Sequence, residues 1–295
     1  MITYLQAIIL GIFQGVTELF PVSSLGHSVL IAYLLNWSNI LNGTVNKASS
    51  FLLFLVVIHV ATALALLFYY RRTWWRLIKA WLRSIIDRKI EDRQAKLAWL
   101  LIAATIPAGL VALALQTKLQ DQFAKPLSAI VFITINGILL LVGDQYIRSK
   151  NKATEKVKAT TDASTSHSLS FGQSIIIGLS QVFALLAGIS RTGVTMVGGV
   201  FSGLSRDEAA EFSFLLATPI ILAAGLYKLP SVFSHKSAGM HGPMLVGAIG
   251  AAVAAYFAVR FLDRYFKRSS FRPFGIYCIC VGILMLLVGL GRGHF

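Results

Sequence analysis

The sequence predicts an all-α polytopic integral membrane protein: six transmembrane helices plus two re-entrant helical hairpins arranged as an inverted-topology repeat. Three observations predict it. The 295-residue chain is 56% hydrophobic and 13% charged, about half the charged fraction of a soluble domain, and its mean hydropathy is +0.71. Six apolar stretches approach the roughly 20 residues that cross a bilayer. Two further apolar stretches are broken by glycine, serine and charged residues, and they match each other in sequence. A membrane β-barrel would show short alternating segments instead.

The first broken stretch is the hairpin expected over residues 1–35. Twenty mostly apolar residues run into "FPVSSLGHS" at Phe20–Ser28, and "VLIAYLL" follows. Pro21 ends the incoming helix and Gly26 permits a tight turn. The segment has no basic leader and no small-residue cleavage site, so a removable signal peptide is not expected. Spans are expected at Phe51–Tyr70, Leu97–Leu115 and Leu127–Gly143, then at Phe212–Leu229, Met244–Phe261 and Phe274–Leu290. Arg71–Lys96 carries nine basic and three acidic residues; Asp144–Ser170 and Leu262–Pro273 are also basic. The positive-inside rule puts these three loops in the cytoplasm. The chain alternates correctly only if residues 171–204 enter and leave on the cytoplasmic side, and residues 1–35 on the other. Both are then re-entrant hairpins, and both termini lie outside. The expected organisation is one membrane domain, 1–295. Residues 1–143 form the first repeat, 144–170 a cytoplasmic linker and 171–295 the second repeat.

The two hairpins are related. Gln6–Ser28 aligns with Gln173–Thr195 at a constant offset of 167, and eight of 23 positions are identical. The glycine, glutamine and serine matches carry most weight, because apolar matches come cheaply in membrane segments. One hairpin plus three spans, repeated upside down, is an inverted-topology repeat. A break at membrane depth is tolerated where the backbone is buried in protein or lines a wet cavity. Two facing tips make such a cavity.

The first tip offers Gln14, Glu18, Ser23, Ser24 and His27; the second offers Gln181, Ser190, Arg191, Thr192 and Thr195. Gln14 and Glu18 are four apart and share a helix face. Charged residues inside membrane segments are costly and usually functional, which weighs against a merely structural Glu18–Arg191 ion pair. Ser24, His27 or Glu18, and Arg191 supply nucleophile, base and cation. Arg191, hydroxyls and helix N-termini suit a phosphate. Glu18 would activate a nucleophile or hold a divalent metal. A phosphate group in a membrane cavity points to a lipid phosphate or pyrophosphate. One tip serine is expected to cap its returning helix.

Other residues carry weaker signals. His59, mid-span in "VVIHVATA", reads as a packed or cavity-facing polar residue. His235 and His241 do not make a metal site. "SRDE" at Ser205–Glu208 fits a capping box. Trp74, Trp75 and Trp81 in a basic segment suit a membrane-surface helix. "NGT" at Asn42–Thr44 is a glycosylation sequon by pattern only. Cys278 and Cys280 point to different sides of a helix and cannot pair. The net charge of +15 is explained by cytoplasmic loops rather than nucleic acid, and is compatible with membrane lipids and a phosphorylated substrate.

At these residues the sequence resembles the bacterial undecaprenyl pyrophosphate phosphatase family of the bacitracin-resistance type. "QGVTE" at Gln14–Glu18, "PVSSLGH" at Pro21–His27 and "AGISRTGVT" at Ala187–Thr195 carry the resemblance, with "EFSFLLATP" at Glu211–Pro219 in support. It covers essentially the whole chain. The resemblance implies a plasma-membrane enzyme, its active site open to the outer (periplasmic) face. It would remove the terminal phosphate of undecaprenyl pyrophosphate, so recycling the lipid carrier for cell-wall synthesis and conferring bacitracin resistance. It implies dependence on a divalent metal, Mg²⁺ or Ca²⁺, not permanently bound, and is compatible with a homodimer. By motif match Glu18, Ser24, His27 and Arg191 are catalytic, and Glu18 also the metal-holding residue. Gln14, Ser23, Ser190, Thr192 and Thr195 support substrate binding. Two departures stand out. Gln14 replaces a glutamate common in the family, which weakens any two-carboxylate metal site. Ala187 and Thr192 replace proline and serine. The competing reading is a transporter that flips undecaprenyl phosphate.

Overall fold

The computed structural model describes residues 2–37, 50–120, 125–158, 169–233 and 239–292. The sequon at Asn42–Thr44 and His235 lie outside them. The described residues form helices joined by short turns. α1 (Tyr4–Thr17) and α2 (Ser24–Leu34) make the first helix pair. α3 (Ser50–Tyr69), α4 (Arg71–Ile86), α5 (Arg93–Gln120) and α6 (Pro126–Lys158) follow. α7 (Phe171–Ser180), a 3₁₀ turn (Gln181–Leu185) and α8 (Arg191–Phe201) make the second pair. α9 (Arg206–Val232), α10 (His241–Tyr265) and α11 (Arg272–Gly291) complete the chain.

Among the described residues six helices are long and apolar enough to cross a membrane: α3, α5, α6, α9, α10 and α11. They contain the six expected spans, with Tyr70 one residue past the end of α3. Helices α1, α2 and α7–3₁₀ are apolar but shorter. The 14 residues of α1 rise only about 21 Å, against a hydrocarbon core of about 30 Å.

The short helices start with the same chemistry. Thr3 caps α1 in a reciprocal box with Gln6, and Ser170 caps α7 in the same box with Gln173. Each box satisfies two orphan backbone donors at a helix start. Ser23 caps α2 through the Gly26 amide, and Ser190 caps α8 through the Gly193 amide. The Ser205–Glu208 capping box forms at the start of α9.

The first helix of each short pair packs on the half of the chain it does not belong to, while α2 packs on α6 and α8 on α9. α1 lies along α10, and α7 along α5; α3 packs against α9, and α6 against α11. Small residues let these backbones meet, as membrane helix packing requires. A Cβ on Gly11 would collide with the Gly247 carbonyl of α10, and one on Gly178 with the Ala104 carbonyl of α5.

Three local expectations change. The positive φ of the first tip belongs to Ser23, at 74°, not to Gly26. Gly26 instead lies in the first turn of α2, where a Cβ would stand 2.9 Å from Gly188 Cα of the other tip. Gly26 is therefore required for close approach. The linker expected over 144–170 is helical to Lys158, as a continuation of α6. It has no glycine or proline before that point, and an Asp144–Arg148 pair spans its first turn at 2.7 Å. The basic segment after α3 is a helix, α4, with Trp74 and Trp81 against the core and Trp75 exposed. Cys278 is buried and Cys280 exposed, both free.

Gly11→Ala should cost about 1–3 kcal/mol through overpacking of α1 on α10. Gly109→Ala, where a Cβ meets nothing within 4 Å, should leave stability unchanged or slightly raised. Thermal unfolding in detergent checks the pair.

Candidate active site

Glu18 is the residue on which the two tips converge. It is the C-cap of α1 and is 7% exposed. Arg191, the first residue of α8, donates from Nη2 to its Oε1 across 173 residues of sequence. Gln14 Nε2 donates to Oε2 at 3.1 Å from one turn back on α1. Ser24 Oγ, in the first turn of α2, donates to the same oxygen at 2.5 Å. The Glu18 main-chain carbonyl accepts from Thr192 Oγ1 at 2.8 Å. A buried carboxylate is tolerable only with such a set of donors.

Neutral hydrogen bonds hold the tips around this pair. Asn136, on α6, donates to the Pro21 carbonyl and accepts from the Ser190 amide, each at 2.9 Å. One buried amide thus ties both turns to one span. Thr195 Oγ1 donates to the Arg191 carbonyl at 2.8 Å and meets Ser213 Oγ at 2.5 Å, which anchors the first turn of α8 to α9.

A cavity of about 390 Å³ opens over the tips. Glu18, Ser23, Ser24, Ser190 and Arg191 form its polar end. Leu52, Leu55 and Val56 of α3, Ala108 and Ala112 of α5, and Ile220, Ile221 and Ala224 of α9 form an apolar wall, with Lys228 beyond it. α2 and α8 begin at the polar end, so two helix N-termini bring partial positive charge there. The arrangement offers a hydroxyl on a carboxylate, a guanidinium with further N–H donors and an adjoining apolar slot. It suits a phosphate ester or anhydride carried on an apolar chain.

Of the nine sequence-predicted site residues, Gln14, His27, Thr192 and Thr195 do not line the cavity. Gln14, Thr192 and Thr195 bond to Glu18 or Arg191 from behind, as above. His27 faces away: its Nδ1 donates to the Ser23 carbonyl at 2.7 Å, and its Nε2 meets Tyr277 Oη of α11 at 2.9 Å, with the rings stacked. His59 reaches the site instead, lining the cavity with Nε2 3.4 Å from Glu18 Oε2. An ionisable residue in mid-span was the signal for it. Asn136 gave the same kind of signal, a lone amide within an apolar run.

The donor set does not fit a resident divalent metal. Among the described residues no group of three or more His, Cys, Asp or Glu is placed to hold one. Among the described residues Glu18 is the sole carboxylate on the cavity. Its Oε2 faces Gln14, Ser24 and His59, and its Oε1 accepts from the Arg191 guanidinium, so both oxygens are already engaged by protein groups.

A family model described as bacitracin resistance protein BacA matches residues 7–284. The chain is 42% identical to undecaprenyl-diphosphatase 2 of Frankia alni, over 96% of this chain and 97% of that one. It is 43% identical to the undecaprenyl-diphosphatase of Mycolicibacterium paratuberculosis, over 95% of each. It is 44% identical to undecaprenyl-diphosphatase 2 of Chromobacterium violaceum, over 97% and 99%.

Asn136→Leu leaves the Pro21 carbonyl and the Ser190 amide buried without partners, at about 1–3 kcal/mol each. Its detergent unfolding midpoint should fall well below that of the parent protein; an unchanged midpoint would show that Asn136 does not clamp the tips.

Proposed function

The chain belongs to the bacitracin resistance protein BacA family, and from that premise we propose that it is an undecaprenyl-diphosphatase of the membrane. It hydrolyses undecaprenyl diphosphate to undecaprenyl phosphate and inorganic phosphate, which returns the lipid carrier to cell-wall synthesis. The observation that carries the reading is the buried Glu18–Arg191 pair with Ser24 on the same carboxylate. A merely structural pair has no need of a hydroxyl, two helix N-termini and an apolar slot beside it.

In the proposed reaction the diphosphate lies at the polar end and the prenyl chain in the apolar slot. Ser24 Oγ attacks the terminal phosphorus while its proton passes to Glu18 Oε2, already its hydrogen-bond acceptor. The Oγ–phosphorus bond forms, the bridging oxygen–phosphorus bond breaks, and undecaprenyl phosphate leaves with the electron pair. Water then attacks the phosphoserine: the water oxygen–phosphorus bond forms, the Ser24 Oγ–phosphorus bond breaks, Glu18 returns its proton to Ser24 Oγ, and both water protons leave with the phosphate as H2PO4⁻. Arg191 uses one donor on Glu18, and its other N–H groups neutralise the transferring phosphoryl oxygens. Gln14, Thr192 and Thr195 hold Glu18 and Arg191 in place. Ser23 and Ser190 cap the two helices at the substrate's edge. His27 acts through the Ser23 carbonyl on the turn that carries Ser24. Because the protein donors do not make a metal site, a divalent ion (Mg²⁺ or Ca²⁺) is proposed to arrive on the diphosphate oxygens, as is usual for Mg²⁺ with phosphate substrates.

The same proposal extends to topology. Residues 1–143 and 171–295 are read as inverted repeats joined by 144–170, each opening with a re-entrant hairpin (1–35 and 171–204). Three observations support this: paired caps at the 167-residue offset, packing of α1 and α7 on the opposite halves, and the basic loops. The protein is placed in the bacterial plasma membrane with the cavity open to the outer face. Leu52, near the start of α3, and Ala112 and Lys228, near the ends of their spans, all line the cavity. All three lie at the ends that the positive-inside rule puts outside. Transport of undecaprenyl phosphate without hydrolysis is the competing reading, because opposed broken helices also occur in transporters.

Purified protein should release phosphate from undecaprenyl diphosphate. Folded Arg191→Ala and Glu18→Gln should lose about 10²–10³-fold in kcat, the scale of removing one charge-stabilising group. Quenched wild-type reactions should yield phosphoserine at Ser24. Release within tenfold of wild type by Arg191→Ala would contradict the assignment, and binding without release would favour the transporter.

A further inference from the structure

His59 is not used by the reaction as drawn, yet among the described histidines it alone lines the cavity. It sits in the middle of α3, and its Nδ1 lies 2.7 Å from the Leu55 carbonyl oxygen one turn earlier. A carbonyl only accepts, so Nδ1 carries a proton. Its Nε2 points at the Glu18 carboxylate, which as an ionised group also only accepts. Nε2 is thus the ring nitrogen without a main-chain partner, and facing a carboxylate favours a proton on it, which makes it a donor into the cavity.

Two consequences follow from counting. Glu18 Oε2 already accepts from Ser24 at 2.5 Å and from Gln14 at 3.1 Å. His59 stands at 3.4 Å from the same oxygen, beyond the usual 2.7–3.2 Å range. A third donor on an oxygen with two lone pairs is the one held least. The charges point the same way. Arg191 and His59 face one carboxylate, and Lys228 is a further cation on the cavity. With Arg191 and Lys228 against the one carboxylate of Glu18, the cavity holds surplus positive charge in a low-dielectric setting, which is costly until an anion joins it. Ring anchoring through Leu55 fixes where the free donor points.

We propose that His59 is a second phosphate-binding group of the cavity, its Nε2–H turning from Glu18 onto a phosphoryl oxygen of bound diphosphate opposite Arg191. This rests on the diphosphatase reading for the identity of the ligand. His59 thereby differs from His27, whose two nitrogens are spent on Ser23 and Tyr277.

The test uses full-length protein in detergent with inorganic pyrophosphate as probe, read by calorimetry, beside steady-state turnover of undecaprenyl diphosphate. His59→Leu removes the donor; His59→Gln keeps an N–H at the end of a chain of similar reach. Loss of one hydrogen bond to a charged group corresponds to about tenfold or more in affinity. His59→Leu should therefore weaken pyrophosphate binding and raise KM about tenfold, with kcat changed less than about threefold. His59→Gln should recover pyrophosphate affinity to within about threefold of wild type. Equal affinity in wild type and folded His59→Leu overturns the proposal. So does a fall in kcat with unchanged KM, which would make His59 a support for Glu18. So does His59→Gln as weak as His59→Leu, which would make the ring a packing element. Wild type that binds pyrophosphate without turning over the lipid fails the diphosphatase reading and leaves the affinity comparison to decide on His59. Wild type that does not bind pyrophosphate overturns the proposal whatever its turnover.

Discussion

The structure depends on the ion pair between Glu18 and Arg191. Neither charge is tolerable alone in a membrane interior, where an unpaired ion costs several kcal/mol even after relaxation. Each resides on a helix pair too short to cross the bilayer, at the point where the chain turns. Bringing the tips together satisfies both charges and lines a polar cavity with protein, a setting in which broken backbone is acceptable inside a membrane protein. Local features of the tips follow from that meeting. Gly26 has no side chain because Gly188 lies against it. Asn136 spends its amide on one backbone group from each turn. Ser23 and Ser190 give their hydroxyls to helix starts, leaving Ser24 and Arg191 facing the cavity.

The two short helix pairs start with the same caps and differ in chemistry. Thr3 with Gln6 and Ser170 with Gln173 start the helices alike. Gln14 and Gln181 occupy matching positions, but Gln14 turns to Glu18 while Gln181 donates to the Ala104 carbonyl at 3.0 Å. Ser24 and Arg191 match each other at the same offset, so one helix pair contributes a hydroxyl where the other contributes a cation. The matching caps supply a common frame, and the site arises from the positions at which the two helix pairs differ.

The six spans were legible because length and apolarity decide them locally. So were the caps, which need a polar residue and a partner three positions on. The Glu18–Arg191 meeting was legible through the cost of intramembrane charge. The direction of each histidine was not. His27 sits in the motif and His59 outside it, yet the ring that reaches Glu18 is His59. Sequence spacing gives a residue's face on its own helix, and says nothing of Tyr277 arriving from α11 to take up His27. The role of Asn136 was likewise hidden, because its partners are main-chain groups that leave no trace in side-chain pattern. The helical course of 144–158 was obscured by reading a polar, basic run as a linker.

The most direct test of the central claim is the position of a non-hydrolysable diphosphate analogue in an experimental structure of the protein. The account predicts its terminal phosphorus about 3–3.5 Å from Ser24 Oγ, near attack distance, with its oxygens on Arg191 and its chain between α3, α5 and α9. A diphosphate bound away from the Glu18–Arg191 pair, or one turned with its terminal phosphorus out of reach of Ser24, would contradict it.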